Sequence, residues 1–321
     1  MYLPLEIELR ELQVLRILSV PLVAAAVAAA GLTGFPAHAQ PAAAAAESTA
    51  GPVRSEAPIG IYDPLKKAKR VRGMAIEHVF IAWQYFSVAE LREQAAYARK
   101  RHRRMMVTVE PWTHAANWAD GGDTLFGDIL NGDYDGEIAA VCTEVARMKF
   151  RPLVRWGHEM EEVTGRYPWA RHDSAGYVQA YRYFVTKCRA IAPKARFVWS
   201  PIGHEGLEDY FPGKGYVDMI GLPVWGYQRA DKLWYGHPRS FVEAVREKYS
   251  RVTRYRKPII IAEIGVSGPR KYKNKWLAQL RVARKTFRRL KAVVYFNMLE
   301  PAAWPDGLGK PDWRINPRLL Q

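Results

Sequence analysis

Arg155-Trp156-Gly157-His158-Glu159-Met160 and Pro258-Ile259-Ile260-Ile261-Ala262-Glu263-Ile264-Gly265 are two apolar, strand-like stretches, and each runs out onto a glutamate. A carboxylate at the C-terminal tip of a buried strand stands at the mouth of a barrel or sheet, the place where such folds house chemistry. The same pattern recurs upstream, where Met105–Glu110 also ends on an acid.

Working outward, short apolar runs alternate with longer amphipathic ones from residue 57 onward. The strand candidates are Ile59–Tyr62, Val79–Trp83, Met105–Glu110, Leu153–His158, Arg196–Ser200, Met219–Val224, Ile259–Glu263 and Ala292–Asn297. Helical patterns lie between them at Val88–Arg101, Gly136–Lys149, Ala175–Ile191, Phe241–Tyr255 and Asn274–Leu290. Ser87 and Ser174 stand ahead of two of these as N-caps, and Pro193 closes one. Alternation of this kind implies parallel strands covered by helices, and eight repeats favour a closed (β/α)8 TIM barrel. The crossovers over residues 63–77 and after Ser200 carry no long helical pattern. No internal repeat or second domain is visible, so residues 57–321 read as one α/β barrel domain.

The first 39 residues read differently. Arg16 precedes an apolar run from Ile17 to Phe35, and Ala37-His38-Ala39 supplies a small-x-small cleavage site. That is the pattern of a secretory signal peptide, with an uncleaved N-terminal anchor as the alternative. Residues 40–56, mostly Ala, Pro, Glu and Ser, read as a disordered tether with too little apolar content to pack. The expected address is export, to the periplasm or beyond the cell, with no membrane span left after cleavage. The formal charge is +16, and the surplus persists when this leader is set aside. Such a surplus concerns partners and not fold. The plain reading is a basic exported protein; the sharper one is attraction to an acidic polysaccharide or an anionic surface. Export removes nucleic acid as a partner. Many of the charges lie in Lys271–Lys291, on a helical pattern whose apolar positions leave one face polar, as an outer helix requires. Cys142 and Cys188, the two cysteines, fall on apolar helical stripes and read as buried thiols, although an oxidising compartment would permit a bridge.

Glu110, Glu159 and Glu263 all occupy expected strand ends, which in a parallel barrel face the same way. Cleavage of a glycosidic bond needs one carboxylic acid to protonate the leaving oxygen and one carboxylate to attack the anomeric carbon, about 5–5.5 Å apart for retention. Glu159 follows His158 and the bulky Trp156, surroundings that favour a protonated carboxyl, so it is assigned acid/base. Gly265 leaves room beside Glu263, which is assigned nucleophile. Trp83, Trp112, Trp156, Trp225, Trp304, Tyr167 and Trp169 lie at or just after strand ends, where indole and phenol faces could stack on sugar rings. Core packing is the competing role for any one of them.

The chain also resembles glycoside hydrolase family 26, the β-mannanase-like group. The resemblance rests on an ordered series from about residue 57 to 305. It includes Val107-Thr108-Val109-Glu110-Pro111-Trp112, Arg155-Trp156-Gly157-His158-Glu159-Met160, Tyr167-Pro168-Trp169, Val198-Trp199-Ser200-Pro201, Tyr210-Phe211-Pro212-Gly213 and Ile261-Ala262-Glu263-Ile264-Gly265. It implies a (β/α)8 barrel and a retaining, endo-acting hydrolase of β-linked glycans. Glu159 would then be the acid/base, Glu263 the nucleophile, His158 a substrate or tuning contact, and Trp304 an aromatic platform under the sugar. Two departures imply altered specificity. The loop after Glu159 runs Glu161-Glu162-Val163-Thr164-Gly165-Arg166 where the family carries Asn and Gly. Trp225, with Tyr227 two residues on, stands near the place of a tyrosine that hydrogen-bonds the family's nucleophile.

Other chemistry fails on spacing. Position 162 is Glu, so no second histidine completes a zinc-protease helix with His158, and no Gly-x-Ser-x-Gly elbow or phosphate loop exists. The expectation is a monomeric endo-β-glycanase needing no metal or cofactor. It would act on β-mannan, mixed-linkage β-glucan or a bacterial exopolysaccharide through Glu159 and Glu263. Glu110, Trp112, Trp156, His158, Tyr167, Trp169, Trp225, Tyr227 and Trp304 are the candidate substrate contacts. The alternative is a non-hydrolytic polysaccharide-binding protein with a degenerate cleft.

Overall fold

Eight parallel strands close on themselves in chain order, with β1 hydrogen-bonded to both β2 and β8. They are β1 (Ile59–Tyr62), β2 (Met74–Ala82), β3 (Arg104–Glu110), β4 (Leu153–Trp156), β5 (Arg196–Trp199), β6 (Met219–Tyr227), β7 (Ile259–Ser267) and β8 (Leu290–Phe296). All eight strands expected from the apolar runs are present, and the fold is the expected (β/α)8 barrel. The computed structural model describes residues 57–170 and 173–321. The expected leader, 1–39, and tether, 40–56, lie outside the described residues. Among those described, no helix is long and apolar enough to cross a membrane.

The outer layer begins with α1 (Val88–Lys100), α2 (Gly122–Asn131), α3 (Asp135–Arg147) and α4 (Ser174–Ile191). It continues with α5 (Gln228–Tyr235), α6 (Phe241–Val252) and α7 (Arg270–Ala278). Ser87 caps α1 as its side chain accepts from Glu90 N, whereas α4 is capped by Asp173, one residue before the expected Ser174. The expected helix over 274–290 is a correction. After Ala278 the chain tightens into 3-10 turns and one short helical turn, which lets Leu290 enter the sheet opposite Ile259. The short helices α2 and α5 were not anticipated. The first crossover carries no helix, as expected. Asp63 instead accepts from Ala68 N, and Arg103 donates to Ala68 O, Val71 O and Glu77.

Alternation along the strands divides the side chains into two sets. Ile59, Ile61, Val107, Val109, Val154 and Trp156 join the large apolar layer between sheet and helices. Ile76, Met106, Leu153, Val198, Ile260, Ala262, Ala292 and Val294 fill the lower barrel. Above this plug the interior turns polar, with His78 and Thr108 hydrogen-bonded at 2.7 Å and Arg155 beside them. A cleft at the strands' C-terminal ends therefore sits over a polar layer and not over hydrocarbon.

Cys142 on α3 and Cys188 on α4 are joined in a disulfide, which corrects the expectation of two thiols. Both apolar stripes are real, but the two helices are neighbours, and their stripes bring the cysteine Cα atoms to 5.3 Å. The bridge closes a loop spanning 46 positions, for which the chain-entropy account gives about 4 kcal/mol at most. The Cys142→Ala/Cys188→Ala variant is expected to lose about 2–4 kcal/mol in denaturant unfolding while keeping its far-UV spectrum. An unchanged unfolding midpoint would remove the bridge from the stability account.

Candidate active site

Two local departures from regular strand geometry build the site. Strand β4 ends at Trp156, and Gly157 then takes φ +51° while Glu159 takes φ +55°. For Glu159 this left-handed backbone carries a strain on the order of 1 kcal/mol that the surroundings must hold. They do so from both sides. Gly157 N donates to Val109 O of β3, Glu159 N donates to Ser200 O just beyond β5, and the Tyr177 hydroxyl donates to Gly157 O. The second departure is a bulge in β7. The register with β6 skips from Ile261 to Glu263, leaving Ala262 without a partner there. Ile260 and Ala262 face the barrel interior, so strict alternation would send Glu263 outward. The extra residue restores it to the inside, and Ile264 and Val266 return to the outer layer.

Both glutamates consequently line one cavity of about 250 Å³ at the barrel mouth, together with Glu110, His158, Arg166 and Lys248. Tyr62, Phe80, Tyr167, Trp225, Phe296 and Trp304 supply its aromatic wall. The fully buried Arg155 places Nη1 2.6 Å from Glu263 Oε1, an ion pair on the cavity floor. Burial raises the pKa of Glu159, and the charge of Glu263 raises it further, against the opposing Arg155, Arg166 and Lys248. Burial also pushes Glu110 up to about 7, partly offset by the indole N–H of Trp112, which donates to it at 3.1 Å. His158 is driven well below its ordinary range by burial and then by Arg155 and Arg166, so the ring facing the cavity is neutral.

The remaining expected contacts divide. Trp112 and Tyr227 line a larger adjoining cavity of about 690 Å³, which shares Arg166, Trp225, Lys248, Glu300 and Trp304 with the first. The Tyr227 hydroxyl is committed to Leu308 O, leaving its ring as the usable surface. Trp156 and Trp169 are corrections, since neither lines either cavity. Trp156 points outward and stacks on Phe184 of α4, and Trp169 lies beneath the loop, its indole N–H donating to His158 O. Trp83 is likewise core, stacked on Tyr134. Nor does Gly265 leave open space. A Cβ there would meet the indoles of Trp225 and Trp313 at 2.9 Å, so the glycine permits their close packing.

Sequence reading missed Lys248, which reaches in from α6, and Glu300, which accepts from Trp313 Nε1 in the segment after β8. Neither lies at a strand end, so the rule that found the other acids could not find them. Among the described residues, no group of three or more His, Cys, Asp or Glu side chains is arranged to hold a metal ion.

No family model matches the chain. A curated relative, "Endoglucanase H" of Acetivibrio thermocellus, is 26% identical over 259 residues, covering 76% of this chain. The chain spans about a quarter of that relative's length, 26%. Among solved structures, a GH26 protein from a Muricauda species superposes with a TM-score of 0.58 at 11% identity, over 76% of this chain and 79% of that one. A GH26 β-mannanase from Bacteroides ovatus gives 0.56 at 16% identity, over 75% and 78%. The catalytic domain of a Bacillus GH26 endo-β-1,4-mannanase gives 0.58 at 13% identity, over 79% and 77%. The barrel is thus of the kind seen in GH26 structures.

The raised Glu110 carries a stability consequence. Its folded-state pKa of about 7 exceeds the ordinary 4.5, so the folded protein holds a proton that the unfolded chain has released. Stability from this group therefore falls as pH rises from about 4.5 to 7, by roughly 3 kcal/mol in all. The Glu110→Gln variant should lose that part of the slope, becoming more stable relative to wild type at pH 8 than at pH 4.5. Parallel stability–pH curves for the two proteins would contradict the assignment.

Proposed function

We propose that this chain is a retaining endo-β-glycanase in which Glu263 is the nucleophile and Glu159 the acid/base. One observation carries the reading. Two carboxylates share one cavity in different surroundings: burial favours the protonated form of Glu159, whereas Glu263 is ion-paired with Arg155 at 2.6 Å. That division is what double displacement needs.

In the first step the Glu263 carboxylate attacks the anomeric carbon, the glycosidic C–O bond breaks, and Glu159 gives its proton to the departing oxygen. Esterification removes the negative charge of Glu263, one of the causes holding the proton on Glu159. Glu159 then ionises more readily and can accept a proton from the water that attacks the glycosyl-enzyme. Release regenerates both groups and keeps the anomeric configuration. Neutral His158 and protonated Glu110 can hydrogen-bond sugar hydroxyls. Tyr167, Trp225 and Trp304 offer ring faces, and Trp112 and Tyr227 extend the surface into the larger cavity.

The substrate class is a β-linked polysaccharide: β-mannan, mixed-linkage β-glucan or a bacterial exopolysaccharide. The endoglucanase relative, by its name, and the GH26 mannanase likenesses favour this class. We further propose that the protein is exported, to the periplasm or beyond. The leader pattern supports this, as does the Cys142–Cys188 bridge, because such bridges persist in oxidising compartments.

The test is reducing-end release from mannan, β-glucans, xylan and acidic exopolysaccharides by wild type, Glu263→Gln and Glu159→Gln. Glu263→Gln should fall to background, and Glu159→Gln should lose about 10²–10⁴-fold in kcat. In wild type the rate should fall as pH rises through the raised pKa of Glu159, because the proton donor is lost, and Glu159→Gln should lack that limb. Wild-type turnover in Glu263→Gln would overturn the reading. Binding with no new reducing ends on any polymer would favour the non-hydrolytic alternative.

A further inference from the structure

The waist between the two cavities is formed by Arg166, Ile202, Trp225, Lys248, Glu300 and Trp304, each of which lines both. Among the described residues, neither of its cations has a carboxylate oxygen closer than 4.0 Å. Lys248 Nζ donates to the backbone carbonyl of Pro223 at 2.9 Å, and among the described residues no carboxylate oxygen lies within 4.0 Å of it. Arg166 meets Glu300 only at 4.0 Å, while Glu300 has already accepted the Trp313 N–H at 2.8 Å. An ammonium has three N–H bonds to place, and an open sugar hydroxyl needs none of its charge.

The carboxylates around the cavity do not restore the balance. Glu263 is matched by Arg155. Glu110, Glu159 and Glu300 are each shifted by burial toward the protonated form. Burial also works against the charge on Lys248, pushing its pKa down to about 8, so an arriving anion would relieve an unfavourable state. Lys248 and Arg166 are thus left as two cations facing the waist beside the proposed acid/base.

We propose that Lys248, with Arg166, recognises a carboxylate on a sugar bound beside the cleavage point, so that the preferred substrate is a β-linked glycan bearing uronate or similar acidic groups. This rests on the reading of Glu159 and Glu263 as the catalytic pair, and it gives Lys248 a role in specificity. The protein's overall charge of +16 would gather such a polymer, whereas the waist would select it.

Matched oligomers separate charge from backbone: β-1,4-mannuronate against β-1,4-mannose oligomers, and cello-oligomers against their C6-oxidised counterparts. Binding and cleavage are both measured, with wild type, Lys248→Gln and Lys248→Arg. The expected result is that the acidic member of at least one pair binds about tenfold or more tighter at low salt. Lys248→Gln should erase that preference, and Lys248→Arg should keep much of it. Because Lys248 also holds Pro223 O, a variant that fails to fold is replaced by the wild-type salt dependence. The acidic preference should shrink as salt rises while neutral binding stays constant. Equal binding of both members, binding of neither, a preference retained in folded Lys248→Gln, or a salt-independent preference would each overturn the proposal. Cleavage of neutral oligomers without acidic preference would leave the hydrolase reading intact. Acidic preference with no cleavage of any oligomer would count against the hydrolase reading alone.

Discussion

The ion pair between Arg155 and Glu263 sits at the floor of the cleft, and the rest of the site is arranged around it. A carboxylate taken out of water loses solvation worth several kcal/mol, and at a barrel mouth the usual outcome is protonation. Burial shifts Glu110, Glu159 and Glu300 in that direction. Glu263 has a guanidinium at 2.6 Å from a side chain with no solvent exposure, which supplies the charge compensation water would have given. Arg155 is itself expensive to bury. The polar layer of His78, Thr108 and Arg155 above the apolar plug is therefore a feature of the site and not of the fold.

Position follows from two backbone irregularities, one per catalytic candidate. The bulge in β7 changes which face Glu263 occupies. The left-handed turn after β4 swings Glu159 over the cavity, held by Val109 O and Ser200 O. Each irregularity is anchored to neighbouring strands, so the two side chains are referenced to the barrel wall and not to mobile loop tips. This is the rigidity that positioning two carboxylates about one sugar-sized gap demands.

Much of this was legible in the sequence, for a definite reason. Parallel strands buried on both faces, such as Ile259–Ala262, leave uninterrupted apolar runs, and acids at their ends stand out. What was not legible depended on parity and on distant neighbours. Trp156 and Arg155 are adjacent, yet one packs against α4 and the other enters the barrel, and strand-end position alone does not say which. Strict alternation from Ile260 would even have misdirected Glu263, because the bulge leaves no mark in residue type. Cys142 and Cys188 lay on correctly read stripes, but that the stripes face each other is a property of helix packing. Lys248 and Glu300 enter the cleft from a helix and from a segment beyond the last strand, where nothing local announces them.

The proposed double displacement passes through a covalent bond between sugar and Glu263. The most direct measurement is mass analysis of the protein after reaction with a 2-deoxy-2-fluoro glycosyl fluoride built on an oligosaccharide that it cleaves, followed by peptide mapping. The account predicts one added glycosyl unit, carried by the peptide containing Glu263 and absent from Glu263→Gln. A glycosyl unit on any other residue, or an unlabelled enzyme that releases product of inverted configuration, would contradict it.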